Sequence, residues 1–535
     1  MGSTAEDLIQ KEAQLRSDRS TFEQHWAEIA PLVFPRQDDF FNSSKQEGER
    51  RSKNRYNDIA ALALDHGAAA IESIVTPRQV MWHGIGLPDS IADDRDSQIW
   101  ADKVMRFLFQ RRYRPKTNFS SNLHECYMSL LAFGTCVLIV EDMLDGTIRY
   151  KSSHIGEHCY MENARGVVDT DYRKYKLTAR QAFEKFRDRT PEKVLDTLEK
   201  EPSRKMEFLH VVMPDDKNET QGNFISYHIS IEDNALIEEG YYDTFPYIIS
   251  RWTTSPNEIY GRSPCMTVLA EIKMSNQMSK TDIKARHMAV DPPILAADQA
   301  TVRKFSMRPG AINYGTLDMN GNPLVRPYQA GGNLDLSNNG LERSNEIINR
   351  AFFLNLFQIL VDSPQKTATE VLQLAQEKGQ LLTPTAGRQM TELLDPMIMR
   401  EISIYEKYGV FEDGQPLELP QAVKDFGGEF EILYTNPLSR MQISEQALGT
   451  ERTIQSMLPL AQIDPTILDK IDWDEYANIM REANGAPAKL FKSKEDMAEI
   501  AAQKQEQEGM QQMVESAPQV AGAIKDIAQA ESYSE

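Results

Sequence analysis

Several scarcities narrow the reading of this chain first. Long hydrophobic runs are missing: the longest, LLAFGTCVLIV, covers residues 130–140, about half of the roughly 20 needed to cross a bilayer. Cysteine is scarce. Cys126, Cys136, Cys159 and Cys265 form no C-x-x-C pair, which argues against a zinc knuckle or a disulfide framework and fits a reducing compartment. Positive charge is outnumbered, 59 basic against 80 acidic residues for a formal charge of −21. The overall field therefore repels phosphate and acidic lipid surfaces, and bulk adhesion to nucleic acid is not expected. Familiar catalytic signatures are missing too, with no G-x-x-x-x-G-K-[ST] loop to cradle phosphates and no G-x-S-x-G elbow. Gly84-Ile85-Gly86 is a glycine-rich fragment without the third glycine. The start, MGSTAEDLIQKEAQ, has no apolar core of a signal peptide, and Glu6 stands where a myristoylation signal wants Ser or Thr. The expectation is a soluble protein made inside a cell, with no cofactor and no membrane partner.

What is present is an ordinary globular composition, 41% hydrophobic and 26% charged, over 535 residues. Roughly three or four structural regions are expected for that length. Leu15, Phe22, Trp26 and Ile29 share a helical face before Pro31 and Pro35. Helices are also expected over 58–75, about 97–112 and 119–132, where Gly134 breaks the pattern. TCVLIVEDM then reads as a strand turning at Asp145-Gly146 into TIRYKSSH. Between 206 and 252 the period becomes two, and MEFLHVVM, NFISYHISI, ALIEEGYY and FPYIISRW predict four strands of an antiparallel meander. A long helix over about 264–290 ends at Asp291-Pro292-Pro293. Pro309, Gly310, Asn320-Gly321, Pro323 and Pro327 exclude a long helix in the next stretch, and a second helix is expected from about Leu341 to Leu360. The fold class is therefore α+β, with two long helices bracketing a small β-containing insertion. The loop VDSPQK follows, and Thr367 with Glu370 can form a capping box for the next helix. Residues 367–408 read as mainly helical with a break at Thr383-Pro384, shorter helices follow Asn436-Pro437, and the stretch from about Lys492 reads as a mobile helix or tail.

Chemistry-bearing patterns are few. His154-Ile155-Gly156-Glu157-His158 satisfies H-x-x-E-H, a zinc-hydrolase pattern that needs a helix to bring both imidazoles to one side of a metal. Gly156 and the strand-like TIRYKSS before it favour ordinary histidines instead. His124-Glu125 opens a similar motif, but Met128 occupies the second ligand position. Arg50-Arg51-Lys53-Arg55 and Arg111-Arg112-Arg114-Lys116 are basic clusters whose simplest reading is a solvated surface. A more organised signal lies on the 264–290 helix. Lys273, Lys280, Lys284 and His287 make one stripe at helical spacing, with Met274, Met278 and Met288 beside it. Such a stripe suits transient phosphate contact or, equally, a salt-bridged helix face.

FPYIISRWTTSPNEIYGRSPCMTVLAEIKMSNQM followed by DPPIL resembles the head-to-tail connector, or portal, proteins of short-tailed bacteriophages. The resemblance rests on Arg251-Trp252, Glu258, Tyr260-Gly261-Arg262-Ser263-Pro264 and Pro292-Pro293, with KTATEV at 366–371, WAEIAPLVFPR and TPRQVMWHGI in the same order along the chain. It implies a non-enzymatic, ring-shaped assembly, typically of twelve subunits, around a channel for double-stranded DNA. Residues 1–262 and 367–436 would form its wing and 263–290 and 338–361 its stem helices. Residues 291–337 would be the clip, 362–366 the channel loop, 437–505 a helical crown and 506–535 a flexible tail. Implied partners are the terminase large subunit, capsid and scaffolding proteins and tail adaptors, with assembly in the host cytoplasm and a final place at the portal vertex of the virion. Ser363, Gln365 and Lys366 of the loop, with Lys273, Lys280 and Lys284 of the stripe, are the candidates to face DNA. Twelve copies would carry about −252, a field that discourages trapping of phosphate, while a few lysines steady the duplex. The competing readings are a metallohydrolase built on His154, Glu157 and His158, and a non-ring α+β adaptor.

Overall fold

A computed structural model describes residues 5–40, 54–88, 94–143, 146–215, 222–296, 306, 311–314, 316–327, 334–354, 386–408, 420, 431–435, 437–461 and 471–484. The chain forms two compact units, one of Met1–Trp82, Leu108–Pro416 and Asn436–Leu438, the other of His83–Phe107, Leu417–Thr435 and Ser439–Glu535. In chain order the elements begin with helices α1 (Ala5–Asp18), α2 (Ser20–Val33) and α3 (Ile59–Val75), strand β1 (His83–Gly86) and helices α4 (Arg95–Arg112) and α5 (Phe119–Phe133). Strands β2 (Thr135–Asp142), β3 (Ile148–Ser153), β4 (His158–Glu162) and β5 (Val168–Thr178) follow. Helices α6 (Ala179–Phe186) and α7 (Glu192–Lys200) precede β6 (Lys205–Pro214), β7 (Phe224–Ser230), β8 (Ala235–Tyr242) and β9 (Tyr247–Arg251). Then come α8 (Pro264–Thr267), α9 (Leu269–Val290), β10 (Ile294–Ala296), β11 (Val325–Pro327), α10 (Leu334–Ala351), α11 (Asp395–Tyr408), β12 (Glu431–Tyr434), α12 (Pro437–Ala461) and α13 (Trp473–Asn484).

The core of the first unit sits where α5 runs into β2. From Cys126 to Val140 every residue is buried, as an apolar run with no polar face requires. β2 is apolar on both faces and its backbone is paired at both edges, in the antiparallel order β3-β2-β9. The second sheet is antiparallel in the order β4-β5-β6-β7-β8. Its one face packs Cys159, Tyr172, Leu209, Val211, Tyr227 and Ile229 against Leu8 of α1. Near the start of β6, Phe208 and Met206 meet Phe186 of α6 and Val194 of α7. Thr178 and Gln181 start α6 with a reciprocal capping box.

Two expectations change. The meander of four strands is a meander of three, because β9 crosses to the other sheet and pairs Ile249 with Val137. Burial distinguishes the two strands: all five residues of β9 are buried, as suits a strand covered on both faces, whereas β8 alternates between half-buried and exposed positions. The second long helix begins at Leu334, not near 341, and its helical run ends at Ala351, because Asn338-Asn339-Gly340 is absorbed into the helix and Phe353 takes a left-handed φ of 61°. The rest of the stretch expected to continue to Leu360 lies outside the described residues.

Buried charge ties distant parts of the first unit together. Arg112 grips Glu401 with Nε–Oε1 at 3.0 Å and Nη2–Oε2 at 2.6 Å, Tyr150 donates to the same carboxylate at 2.5 Å, and the guanidinium lies over Trp82 at 4.9 Å. Burial opposes its charge, yet Glu401 holds Arg112 firmly protonated. The basic cluster around 111–116 is thus no simple solvated surface. In the second unit β1 pairs with β12, His83 opposite Tyr434.

The YGRSP motif is a joint. Gly134 caps α5 at φ 80°, and a Cβ on either Gly134 or Gly261 would overlap the other's carbonyl. Tyr260 lies tilted against Tyr160, centroids 4.5 Å apart, and meets Trp26 edge-on at 5.6 Å, Gly261 N donates to Thr135 Oγ1 at 3.0 Å, and Ser263 Oγ donates to Ala132 O at 2.9 Å. Gly261→Ala is expected to cost about 3 kcal/mol, because backbone has to give way. Urea unfolding of the variant beside wild type measures it, and an unchanged midpoint would contradict the joint.

Candidate functional site

The most distinctive surface is the helix pair α9 and α10. Ser263 starts its lead-in, accepting from Met266 N at 3.0 Å, with Pro264 in the first helical position. Residues 269–290 contain neither Gly nor Pro, so α9 continues for 22 residues until Asp291 precedes two prolines. α10 packs antiparallel to it: Ser344 Oγ donates to Glu271 at 2.6 Å near one end, and Arg286 Nη2 donates to Asn338 at 2.8 Å near the other. Between them Gly340 lets Met278 approach, and Asn57 Nδ2 donates to Ser275 Oγ at 2.7 Å and Asn345 Oδ1 at 3.2 Å. This seam is held by directional polar bonds, and it leaves Met274 (47%), Ile283 (41%), Met288 (47%) and Val290 (86%) exposed.

The basic stripe is present, but its members have different environments. Lys273 Nζ lies 2.6 Å from Glu28 of α2, and that bond lowers the Glu28 carboxyl below its ordinary range. Lys280 Nζ sits over the Tyr56 ring, 5.1 Å from its centroid. Lys284 is exposed and has no hydrogen bond or ion pair among the described residues, and His287 is exposed in the last turn. Ser363, Gln365 and Lys366, with the expected cap Thr367 and Glu370, lie outside the described residues. So do Arg50, Arg51 and Lys53, whereas Arg55 pairs with Asp58 at 2.7 Å.

Beyond α9, β10 and β11 pair antiparallel, Leu295 opposite Arg326. The expected turn at Asn320-Gly321 forms, with Asp318 accepting from Asn320 N and Asn322 N at 2.8 Å each and Gly321 at φ 82°. Ile312, Tyr314, Leu317 and Met319 there are all more than 60% exposed.

The H-x-x-E-H stretch is not on an α-helix. Ile155–Glu157 is a single 3-10 turn, His154 is its N-cap, and His158 opens β4. Both nitrogens of each imidazole are occupied. His154 meets Gln37 O at 2.8 Å and Gly156 N at 3.0 Å, and His158 meets Asp171 at 2.7 Å and Ser153 Oγ at 2.8 Å. Burial lowers the His154 pKa. Burial pushes Glu157 up, but the Arg173 guanidinium at 3.1 Å, His158 and the Ser153 hydroxyl together outweigh it and the carboxyl stays below its usual range. Among the described residues no group of three His, Cys, Asp or Glu is placed to hold a metal. A cleft of about 390 Å³ is lined by Glu162, Arg251, Glu258, Arg388 and Glu392. Its charges are mutually paired, with Arg251 Nη2 on Glu392 at 2.8 Å and Arg388 Nη1 on the same carboxylate at 3.0 Å. Sequence spacing did not reveal this cleft, whose parts lie more than 200 residues apart.

The chain matches the model of a family described as bacteriophage head to tail connecting protein over residues 5–491. It is 25% identical over 520 residues to a probable portal protein of Bordetella phage BPP-1, covering 94% of this chain and 91% of that one. It is 25% identical over 512 residues to a portal protein of Salmonella phage epsilon15, covering 92% and 90%. A solved structure of the neck of an empty GTA particle aligns with 76% of this chain and 91% of its own, at 11% identity and a TM-score of 0.38.

With both imidazoles engaged inside the protein, purified material is expected to carry far less than one zinc per chain by elemental analysis. Stoichiometric zinc, lost in a His158→Ala variant, would revive the hydrolase reading.

Proposed function

The chain belongs to the bacteriophage head-to-tail connecting protein family, and from that premise we propose that it forms a ring through which double-stranded DNA enters and leaves the phage head. It is a portal-type head-to-tail connector and a component of the virion. The observation that carries the ring is α9. Its apolar residues Met274, Ile283, Met288 and Val290 stay exposed in the single chain, and covering them with a neighbouring copy would contribute about 1.5–3 kcal/mol for each side chain fully buried. A dodecamer is the stoichiometry of this reading.

In that ring, residues 1–262 and 367–436 serve as wing, 263–290 and 338–361 as stem, 291–337 as clip and 437–505 as crown, while the expected tail over 506–535 lies outside the described residues. The exposed Ile312, Tyr314, Leu317 and Met319 support the clip as the docking surface for the terminase large subunit and later for tail adaptors. Capsid and scaffolding proteins would meet the assembly, formed in the host cytoplasm, at the capsid vertex. The chain itself performs no catalysis in this reading, and ATP is hydrolysed by the partner. Loop residues 362–366, with Ser363, Gln365 and Lys366, and the stripe lysines face the DNA. Lys284 is the strongest stem candidate because it is exposed and has no partner among the described residues, whereas Lys273 already has Glu28. Exchangeable lysine contacts steady a duplex without trapping it.

Native mass spectrometry with negative-stain imaging is expected to show rings with a central hole near twelve times 60.9 kDa. A monomer or dimer at every concentration and salt would overturn the ring. Particles carrying Lys280→Ala, Lys284→Ala or Lys366→Ala are expected to package or retain DNA differently from wild type, with an altered salt dependence. Unchanged rate and retention would remove those residues from the DNA-facing set.

A further inference from the structure

One row of residues crosses the whole five-stranded sheet on a single face. His158 of β4, Arg173 of β5, His210 of β6, His228 of β7 and Glu238 of β8 stand opposite one another in register. The first four are buried, at positions where apolar cross-strand pairs would be less costly. At the centre, the imidazoles of His210 and His228 stack with centroids 3.9 Å apart and planes within 7°.

Every neighbouring element faces this pair with a polar or charged group. β5 supplies Arg173 and also Tyr175, whose hydroxyl stands 3.5 Å from His228 Nδ1. β9 supplies Tyr247, whose hydroxyl shares a hydrogen bond with His210 Nδ1, and β8 supplies Tyr242, its ring 6.3 Å from His210. From α6, Lys185 donates to the Tyr175 hydroxyl at 3.3 Å and Phe186 meets His228 edge-on. His158 is tied to Asp171, Arg173 to Glu157, and Glu141 and Glu238 act on Lys185. His210 Nε2 is buried and has no hydrogen-bond partner among the described residues.

We propose that the His210–His228 stack is a protonation-sensitive joint, in which proton uptake by either ring places a new cation beside Arg173 and Lys185 and loosens the seam between the five-stranded sheet and β9. Burial first, then the neighbouring cations, hold both rings neutral: His228 is pushed down to about 3 and His210 well below the ordinary histidine value. Lys185, which is exposed as a residue on α6, is also lowered, to about 8, by dehydration around its ammonium group and by Arg173. In the unfolded or locally opened chain the same imidazoles take protons near pH 6.5. The open state therefore gains as pH falls below about 6.5, by up to about tenfold per pH unit for each ring, and the two imidazoles contribute no change well above that pH. His154 adds a term of the same sign elsewhere, near Gln37, so the test reads the strands themselves.

The experiment is hydrogen–deuterium exchange of the full-length chain at about pH 7.5 and pH 5, corrected for intrinsic exchange, on wild type and His228→Phe. Phe keeps an aromatic ring in the stack but cannot take a proton. Wild type is expected to lose roughly thirtyfold of its protection per titrating ring, up to about a thousandfold for both, in Lys205–Pro214 and Phe224–Ser230 at the lower pH while Phe119–Phe133 keeps its own, and the variant, with one ring fewer, is expected to lose roughly thirtyfold less in those strands. Unchanged wild-type protection in these strands overturns the proposal. So does an equal loss in a folded variant, and if the variant does not fold, the wild-type comparison decides alone.

Discussion

The close approach of Gly134 and Gly261 governs much of this architecture. It brings the end of α5, the start of β2 and the chain leaving β9 to one point, where Trp252 N donates to Gly134 O at 2.8 Å. Gly261 and Ser263 then bind the α5–β2 turn from the other side. The outgoing chain is thus clamped at several positions just before Pro264 begins the lead into α9. The direction in which the long helix leaves the core depends on two missing Cβ atoms. Any surface α9 offers to DNA or to a neighbouring copy inherits its placement from that joint.

Around it, arginines do the long-range tying. Arg19 donates to the carbonyls of Ile155 and Gly156 at 3.2 Å and 2.8 Å, Arg400 reaches Val140 O at 3.1 Å and Thr244 O at 2.7 Å, and Arg251 holds Glu392. A buried ion pair adds little net stability over well-packed apolar groups, but one partner left alone is costly. These bonds therefore select one arrangement of distant segments more than they add to its total stability. Guanidinium geometry suits this use, since each head can satisfy several carbonyl or carboxylate oxygens at once.

Legibility in the sequence followed the locality of the cause. Helices α5 and α9 could be read from apolar period, Gly134 and the Pro292-Pro293 stop, and the Asn320-Gly321 turn from turn chemistry. The crossing of β9 could not, because it depends on which sheet edge β2 leaves open about a hundred residues earlier. β4 and β5 escaped because HCYME and VDTDYRKYKLT carry charged residues on a buried face, where their partners come from other strands. The YGRSP motif was legible as a family mark, but its work is structural, which only the meeting of Gly261 with Gly134 reveals. The lysine stripe was legible as a face; that Lys273 meets Glu28 and Lys284 meets nothing described was not, since Glu28 lies on a helix 245 residues away.

The topology around β2 also sets a timetable for synthesis. β2 is complete once residue 142 exists, yet its second edge is covered only by β9, and the oxygen of Val140 receives Arg400 only when α11 has been made. At roughly 5–20 residues per second, this strongly apolar strand waits on the order of tens of seconds for its last contacts. During that interval a nascent chain exposes a sticky strand edge to neighbours on the same messenger. The core of the first unit is therefore completed only after most of the chain has emerged.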